Sequence, residues 1–206
     1  MGSPVPTHGR SGFRTAKPGS HPGTITVISG CMFSGKTTEL LRRIAPDRAS
    51  GVLALKHIID TRYDRNAIVS HGGKACAARA VAHAEDIPGL VADDVAIVAI
   101  DEAHFFENVL VEITRGLADR GIDVVLTLLD RDCWGKPFPI ALELQTIADE
   151  PVRLCALCAR CGGTADRTQR TTPIVNGQMV GGAESYEPRC QHCWRPPSSP
   201  PIEAGL

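Results

Sequence analysis

The stretch Gly30-Cys31-Met32-Phe33-Ser34-Gly35-Lys36-Thr37 satisfies the pattern G-x-x-x-x-G-K-[ST] at every fixed position, and no other stretch constrains the fold as much. The pattern has physical meaning at a junction between a strand and a helix. Thr24-Ile25-Thr26-Val27-Ile28 supplies the apolar strand before it. The helix after it opens at Thr37, carries Leu40, Leu41 and Ile44 on one face, and ends at Pro46. In such a turn the backbone N–H groups and the helix N-terminus converge on one anion. Gly30 and Gly35 allow backbone geometry that a side chain would block. Lys36 is placed to reach the β- and γ-phosphates of ATP, the Thr37 hydroxyl to bind Mg²⁺, and Met32, Phe33, Ser34 and Thr38 to complete the loop around the triphosphate. An ordinary glycine turn accounts for the two glycines but not for the Lys-Thr pair in register with strand and helix.

The rest of the chain alternates in the same way. Gly51 to Lys56, Val95 to Ile100 and Val124 to Leu129 are short apolar runs that read as buried strands. Leu110, Ile113 and Leu117 recur at helical spacing, with Arg120-Gly121 as a helix stop. The pattern predicts an α/β fold with a mainly parallel sheet. The polar stretch from His57 to Lys74 and the Gly- and Pro-bearing stretch from Asp130 to Phe138 read as loops. At 206 residues, the chain has room for one packed core and a small appendage. The expected division is a disordered tail over 1–23, an α/β core over 24–150, a cysteine-bearing unit over 151–195, and a second tail over 196–206.

Asp101 closes the apolar run Val95 to Ile100, the position where parallel sheets present ligand-binding groups, and so is a candidate for the Mg²⁺ shell. Glu102 points elsewhere than Asp101 and is a candidate to accept a proton from an attacking hydroxyl. Two consecutive aromatics, Phe105-Phe106, cannot both face inward on one helix, so one of them is available to line a base pocket. Single histidines at 57, 71, 104 and 192 are explained by solvent exposure or a local hydrogen bond, with His192 a spare metal ligand.

The eight cysteines are unevenly distributed, with five of them from Cys155 to Cys193, and their spacing points to a use. Cys158-x-x-Cys161 and Cys190-x-x-Cys193 have Zn²⁺-ligand spacing, and four thiolates close a tetrahedral structural site. Cys155 adds an overlapping Cys-x-x-Cys, so a ligand set that includes it, or an iron–sulfur site, stays open at this stage. A net charge of −1 provides no basic stripe for nucleic acid. Neither a leader peptide nor a membrane-crossing apolar stretch is visible, and the expectation is a soluble cytoplasmic protein.

Taken together, these residues resemble the type II thymidine kinases. The resemblance runs from about Thr24 to Trp194 and rests on the phosphate loop through Leu40, Asp60-Thr61-Arg62-Tyr63, Ser70-His71, Asp101 to Phe106, Lys136-Pro137-Phe138, the two cysteine pairs, and Gly181-Gly182-Ala183-Glu184-Ser185-Tyr186. It implies a sheet of the RecA type, a small zinc-bearing domain, and a lasso loop between the cysteine pairs that closes over the nucleoside. The implied activity is transfer of the ATP γ-phosphate to the 5′-hydroxyl of thymidine or deoxyuridine. By the same resemblance, Glu102 is the catalytic base and Arg62 an active-site arginine. Met32, Phe105, Leu129, Phe138 and Tyr186 surround base and sugar, Thr168 lies beside the thymine 5-substituent, and Gly182 belongs to the lasso. A homotetramer and feedback by dTTP are also implied. The chain departs from the family pattern at Cys31, His104, Arg131 and Cys133-Trp134, the last two places being on the expected pocket wall. A zinc-ribbon ATPase or regulatory nucleotide-binding protein, and a hydrolase that directs water at the γ-phosphate, share the phosphate loop; neither predicts the Asp-Thr-Arg-Tyr or Gly-Gly-x-x-x-Tyr segments.

Overall fold

A computed structural model describes residues 21–45, 51–60, 66–70, 72–173 and 181–198. Its centre is a six-stranded, wholly parallel sheet formed by β1 (Ile25–Ser29), β2 (Val52–His57), β5 (Arg79–Val81), β6 (Ile97–Asp101), β7 (Asp123–Leu128) and β8 (Glu150–Arg153), in the order β5-β2-β6-β7-β1-β8. Four of these strands are the apolar runs of the sequence, each within two residues of its expected bounds. Both faces of the sheet are covered, which is why the central strands are apolar without alternation. On one face, helix α1 (Lys36–Arg43) packs Leu40 and Leu41 against Ile28, Ala54, Ala99 and Val125. On the other, α3 (Leu110–Asp119) and α4 (Pro139–Ile147) press Leu110, Leu117, Ile140 and Leu144 onto Val27, Leu55, Val98 and Leu126. Gly121, at φ 81°, stops α3 where a left-handed residue was expected.

Several elements differ from or add to the sequence expectation. The stretch read as a loop after β2 contains a hairpin, β3 (Ala67–Val69) paired antiparallel with β4 (Ala75–Ala77), whose Ile68 is buried against the α1 face. Helix α4 starts at Pro139, where a missing N–H costs nothing. Strand β8 contains Pro151, which is tolerated because β8 pairs only with β1 at the sheet edge. A short helix α2 (Ile87–Leu90) links β5 to β6. Beyond β8 the chain forms two small antiparallel ladders, β9 (Ala156–Leu157) with β10 (Thr164–Ala165), and β11 (Arg167–Arg170) with β12 (Tyr186–Arg189). No helix among the described residues is long and apolar enough to cross a membrane.

Arg43 ties α1 to the β8 edge. Its guanidinium donates to both oxygens of Glu150, at 2.8 and 2.9 Å, and to Glu39 at 2.8 Å. The Arg43 hydrogen bond holds the Glu150 carboxyl below its ordinary value of 4.5. A carboxylate whose folded value is depressed contributes stability above its unfolded value and loses it as pH falls through the folded one. Arg43→Met is therefore expected to lower Tm at pH 7, and the gap to the parent should narrow below about pH 4.5; a gap that widens on acidification would contradict the assignment.

Candidate functional site

The phosphate loop lies where β1 gives way to α1. Gly30, at φ 149°, runs so close to the neighbouring chain that a Cβ would lie 2.3 Å from the Leu154 carbonyl oxygen, and Gly35, at φ 88°, is the residue before the helix. Both glycines are thus required by backbone approach or by φ. The Lys36 ammonium donates to the Cys31 carbonyl at 2.8 Å, spanning its own loop.

Opposite the loop, the pleat of the sheet sets three polar side chains in a row on the α1 face. Lys56 is the register partner of Asp101, and Ile100 pairs with Leu126, so Asp101 falls beside Thr127. The Thr127 hydroxyl donates to Asp101 Oδ1 and accepts the Glu102 N–H at 3.0 Å. Thr37 Oγ1, from α1, stands 3.3 Å from both Asp101 oxygens. Asp101 and Thr37 therefore present one carboxylate and one hydroxyl at the helix N-terminus, a donor set that suits Mg²⁺. Glu102 then leaves the strand with φ 55°, a left-handed conformation uncommon for a side-chain-bearing residue and held here by Thr127. Glu102 Oε2 lies 3.5 Å from His104 Nδ1, and both Asp101 and Glu102 line one cavity.

These groups line a cavity of about 330 Å³ bounded by Met32, Phe33 and Gly35 to Thr38 on one side and by Lys56, Asp60, Val69 and Gly72 on the other. A second cavity, of about 270 Å³, adjoins it and shares Met32 and Glu102. Its walls are mainly aromatic and apolar: Phe105, Leu129, Phe138 and Tyr186, with Thr168, His104 and Gly181. Phe106 is in the core and Phe105 in the cavity wall, because the 3₁₀ turn over Ala103–Phe105 splits the pair. Arg131, Cys133 and Trp134 lie on the expected wall, and burial pushes the Cys133 thiol up to about 11, so it stands there as a neutral apolar group. Tyr186 accepts a 2.6 Å hydrogen bond from Arg170, whose guanidinium lies 5.0 Å over its ring. Two bonds join the phosphate loop to the segment that carries Thr168: the Met32 N–H donates to Thr168 Oγ1 at 3.1 Å, and the Cys31 thiol to the Ala165 carbonyl at 3.4 Å.

Several features were not read from the sequence. His104 is buried; its Nδ1 accepts the Leu129 N–H at 3.2 Å, lies 3.5 Å from Glu102 Oε2, and its ring packs 4.2 Å from that of Phe105. Accepting that N–H leaves the proton of a neutral imidazole on Nε2. Lys56 and Thr127 entered the sequence reading only as strand residues, although a polar group at the C-terminal end of a parallel strand is itself a signal. Gly182 offers its carbonyl to the Ser185 and Tyr186 N–H groups, at 3.1 and 3.0 Å, while its neighbour Gly181 lines the cavity. Arg62, Tyr63 and His71 lie outside the described residues.

The sulfur atoms of Cys158, Cys161, Cys190 and Cys193 all lie within 4.8 Å of one another, and neither Cys155 nor His192 belongs to the group. A tetrahedral Zn²⁺ with Zn–S bonds of about 2.3 Å has S–S edges of about 3.8 Å, and Cys161 and Cys190 are 3.7 Å apart. Desolvation raises the Cys158 thiol, but hydrogen bonds from the backbone at Cys190, Arg160 and Cys161 outweigh it and bring it down to about 6. The hydrogen bond to Cys190 pushes Cys193 up to about 12. Four sulfurs this close cannot all ionise without a cation between them, so the residues fit a structural zinc site.

The model of the thymidine kinase family matches residues 23–194. The chain is 39% identical over 188 residues to a thymidine kinase of Roseiflexus sp. (strain RS-1), an alignment covering 84% of this chain and 96% of that one. It is 38% identical over 191 residues to a thymidine kinase of Roseiflexus castenholzii (strain DSM 13941 / HLO8), with 86% and 97% covered.

Proposed function

This chain belongs to the thymidine kinase family, and on that premise we propose that it transfers the γ-phosphoryl group of ATP to the 5′-hydroxyl of thymidine, and of deoxyuridine, in nucleotide salvage. The observation that carries this reading is the junction of the two cavities at Glu102 and Met32: a phosphate-binding space opens directly into an aromatic one, with a carboxylate between them. ATP occupies the first through Gly30 to Thr38. Lys36 leaves the Cys31 carbonyl for the phosphates. Thr37 and Asp101 hold Mg²⁺, which neutralises charge on the triphosphate. Thymidine fills the second cavity between Phe105, Leu129, Phe138 and Tyr186, with Thr168 beside the 5-methyl group and the segment around Gly182 closing over it. Glu102 accepts the hydroxyl proton, and Arg62 is assigned to the phosphates by family resemblance. A carboxylate with a pKa of about 4.3 is a weak base for an alcohol, yet a loose transition state lets the proton leave late, when the oxygen is already acidified. Catalysis is then positioning and charge neutralisation.

Residues 24–150 are assigned the chemistry, and residues 151–195 a zinc-stapled nucleoside lid. A cytoplasmic homotetramer inhibited by dTTP completes the proposal.

A coupled assay with Mg·ATP and a panel of deoxynucleosides tests the reading. Thymidine should be phosphorylated and deoxycytidine should be a poor substrate. Cytosine reverses the donor and acceptor pattern of the thymine edge, so groups arranged for thymine are left buried and unpaired, a mismatch expected to cost about 10⁴-fold in kcat/KM. Comparable specificity constants for the two nucleosides would refute the substrate assignment.

A further inference from the structure

We propose that Lys56 is a second cation for the transferred phosphoryl group, held in place by Asp60 and acting from β2 rather than from the phosphate loop that carries Lys36; the proposal rests on the kinase reading and deepens it. Strand β2 is otherwise an apolar element that buries Leu53, Ala54 and Leu55, yet its next residue is a lysine only 2% exposed. Removing an ammonium from water is costly unless it is paired. The pairing is visible: Lys56 Nζ lies 3.2 Å from Asp60 Oδ2 and 3.5 Å from the Ala67 carbonyl oxygen. A turn closed by the Asp60 N–H on the His57 carbonyl, at 3.0 Å, brings the chain back so that this carboxylate meets the lysine.

A buried pair of this kind could serve only as a staple for the chain after β2. Two observations give it a further role. Lys56 and Asp60 both line the phosphate cavity, where a staple has no reason to lie. Lys56 also stands beside Asp101 in the sheet, so the pleat sends the ammonium out on the same face as the carboxylate that Thr37 approaches. Among the described residues the cavity is lined by three carboxylates, those of Asp60, Asp101 and Glu102, against two lysines. Apart from the Mg²⁺ and Arg62 of the kinase reading, removing Lys56 would leave one ammonium among the described lining residues against three carboxylates. In a loose transition state, charge spreads over the equatorial oxygens of the transferred group. A cation fixed before the substrate arrives stabilises that charge without reorganising during the reaction. Lys36 approaches from the loop side, and Lys56 from β2, the strand next to the one that ends in Asp101-Glu102.

The test uses the full chain with Mg²⁺ and compares the parent with Lys56→Gln, Lys56→Arg and the double variant Lys56→Gln/Asp60→Asn, which removes both charges while keeping shape and hydrogen bonding. Lys36→Ala serves as the reference for the kinase reading itself. Removing a preorganised charge should lower kcat by about 10²-fold in Lys56→Gln and in the double variant, with KM for thymidine little changed. Lys56→Arg should recover at least about tenfold of that loss. By calorimetry, the affinity for ADP should stay within about threefold of the parent, whereas that for the β,γ-imido analogue of ATP should fall about tenfold, because only the analogue carries the third phosphate. A staple without a phosphate role would lower Tm and leave these ratios alone. The proposal is overturned by a neutral variant with parental kcat, by parallel loss of ADP and analogue binding, or by failure of both neutral variants to fold, which would assign the pair to the fold. Retention of full activity in Lys36→Ala would count against the phosphate-loop reading and leave the Lys56 ratios to be judged separately.

Discussion

Glu102→Gln is expected to lower kcat by about 10²–10⁴-fold, the usual worth of a positioned base, while Mg·ATP binds as well as in the parent or more tightly. The two halves of this expectation have different origins. Glutamine keeps the shape of glutamate, and the bond that holds the left-handed backbone, from the Glu102 N–H to Thr127, does not involve the side chain. The turn over Ala103–Phe105 should therefore survive, and with it the partition of Phe105 to the cavity and Phe106 to the core. What is lost is the proton acceptor and one negative charge next to the triphosphate, so repulsion of ATP decreases while the reaction slows. Steady-state kinetics together with analogue binding checks both parts. A variant that phosphorylates thymidine at the parental rate would remove Glu102 from the mechanism.

Cys190→Ser is expected to raise the thymidine KM at least tenfold and to lower Tm by roughly 10 °C, while ATP still binds. The four sulfurs join two short turns that have little else to hold them together: β9 with β10 is a ladder of two residues on each strand, and β11 with β12 of four. Residues between the two cysteine pairs include Thr168, Gly181 and Tyr186, all on the wall of the aromatic cavity. A lost ligand therefore loosens the nucleoside wall, while the α1 face of the sheet, with the phosphate loop, retains its own core. Cys155→Ser should do much less, since Cys155 is exposed and outside the sulfur cluster. Elemental analysis would show one zinc per chain in the parent; finding none, or iron in its place, would defeat the assignment, as would metal retained in Cys158→Ser but lost in Cys155→Ser.

Much of this site was legible in the sequence because its chemistry is carried by backbone geometry that only certain residues permit. Gly30 and Gly35 mark the loop since no other residue fits at those places, and the apolar run into Asp101 marks a strand end. The cysteine pairs announce themselves by spacing; spacing alone leaves Cys155 open, the family resemblance chooses Cys158 instead, and the sulfur positions agree with that choice. What stayed hidden depends on contacts distant in sequence. Strand β8 was not read from the sequence, since a strand containing Pro151 is acceptable only at the sheet edge, where β8 lies. Ile68 gave no periodic signal from a three-residue strand, yet it is fully packed against the sheet. The sequence assigns His104 solvent exposure or a local hydrogen bond, because nothing nearby in sequence indicates that the Leu129 amide, 25 residues on, would reach it. Lys56 was indistinguishable from any lysine that ends a strand until its partner and its cavity were visible together.

Met32 stands in the walls of both cavities, and its N–H is committed to Thr168 on the nucleoside side. The loop assigned to phosphate and the ladder assigned to the nucleoside thus share one contact, reinforced by the thiol of Cys31 on Ala165. If both substrates bind as proposed, ordering of that shared point by one would lower the entropy the other must lose. The coupling is reciprocal by thermodynamic necessity: the factor by which ATP tightens thymidine binding is the factor by which thymidine tightens ATP binding.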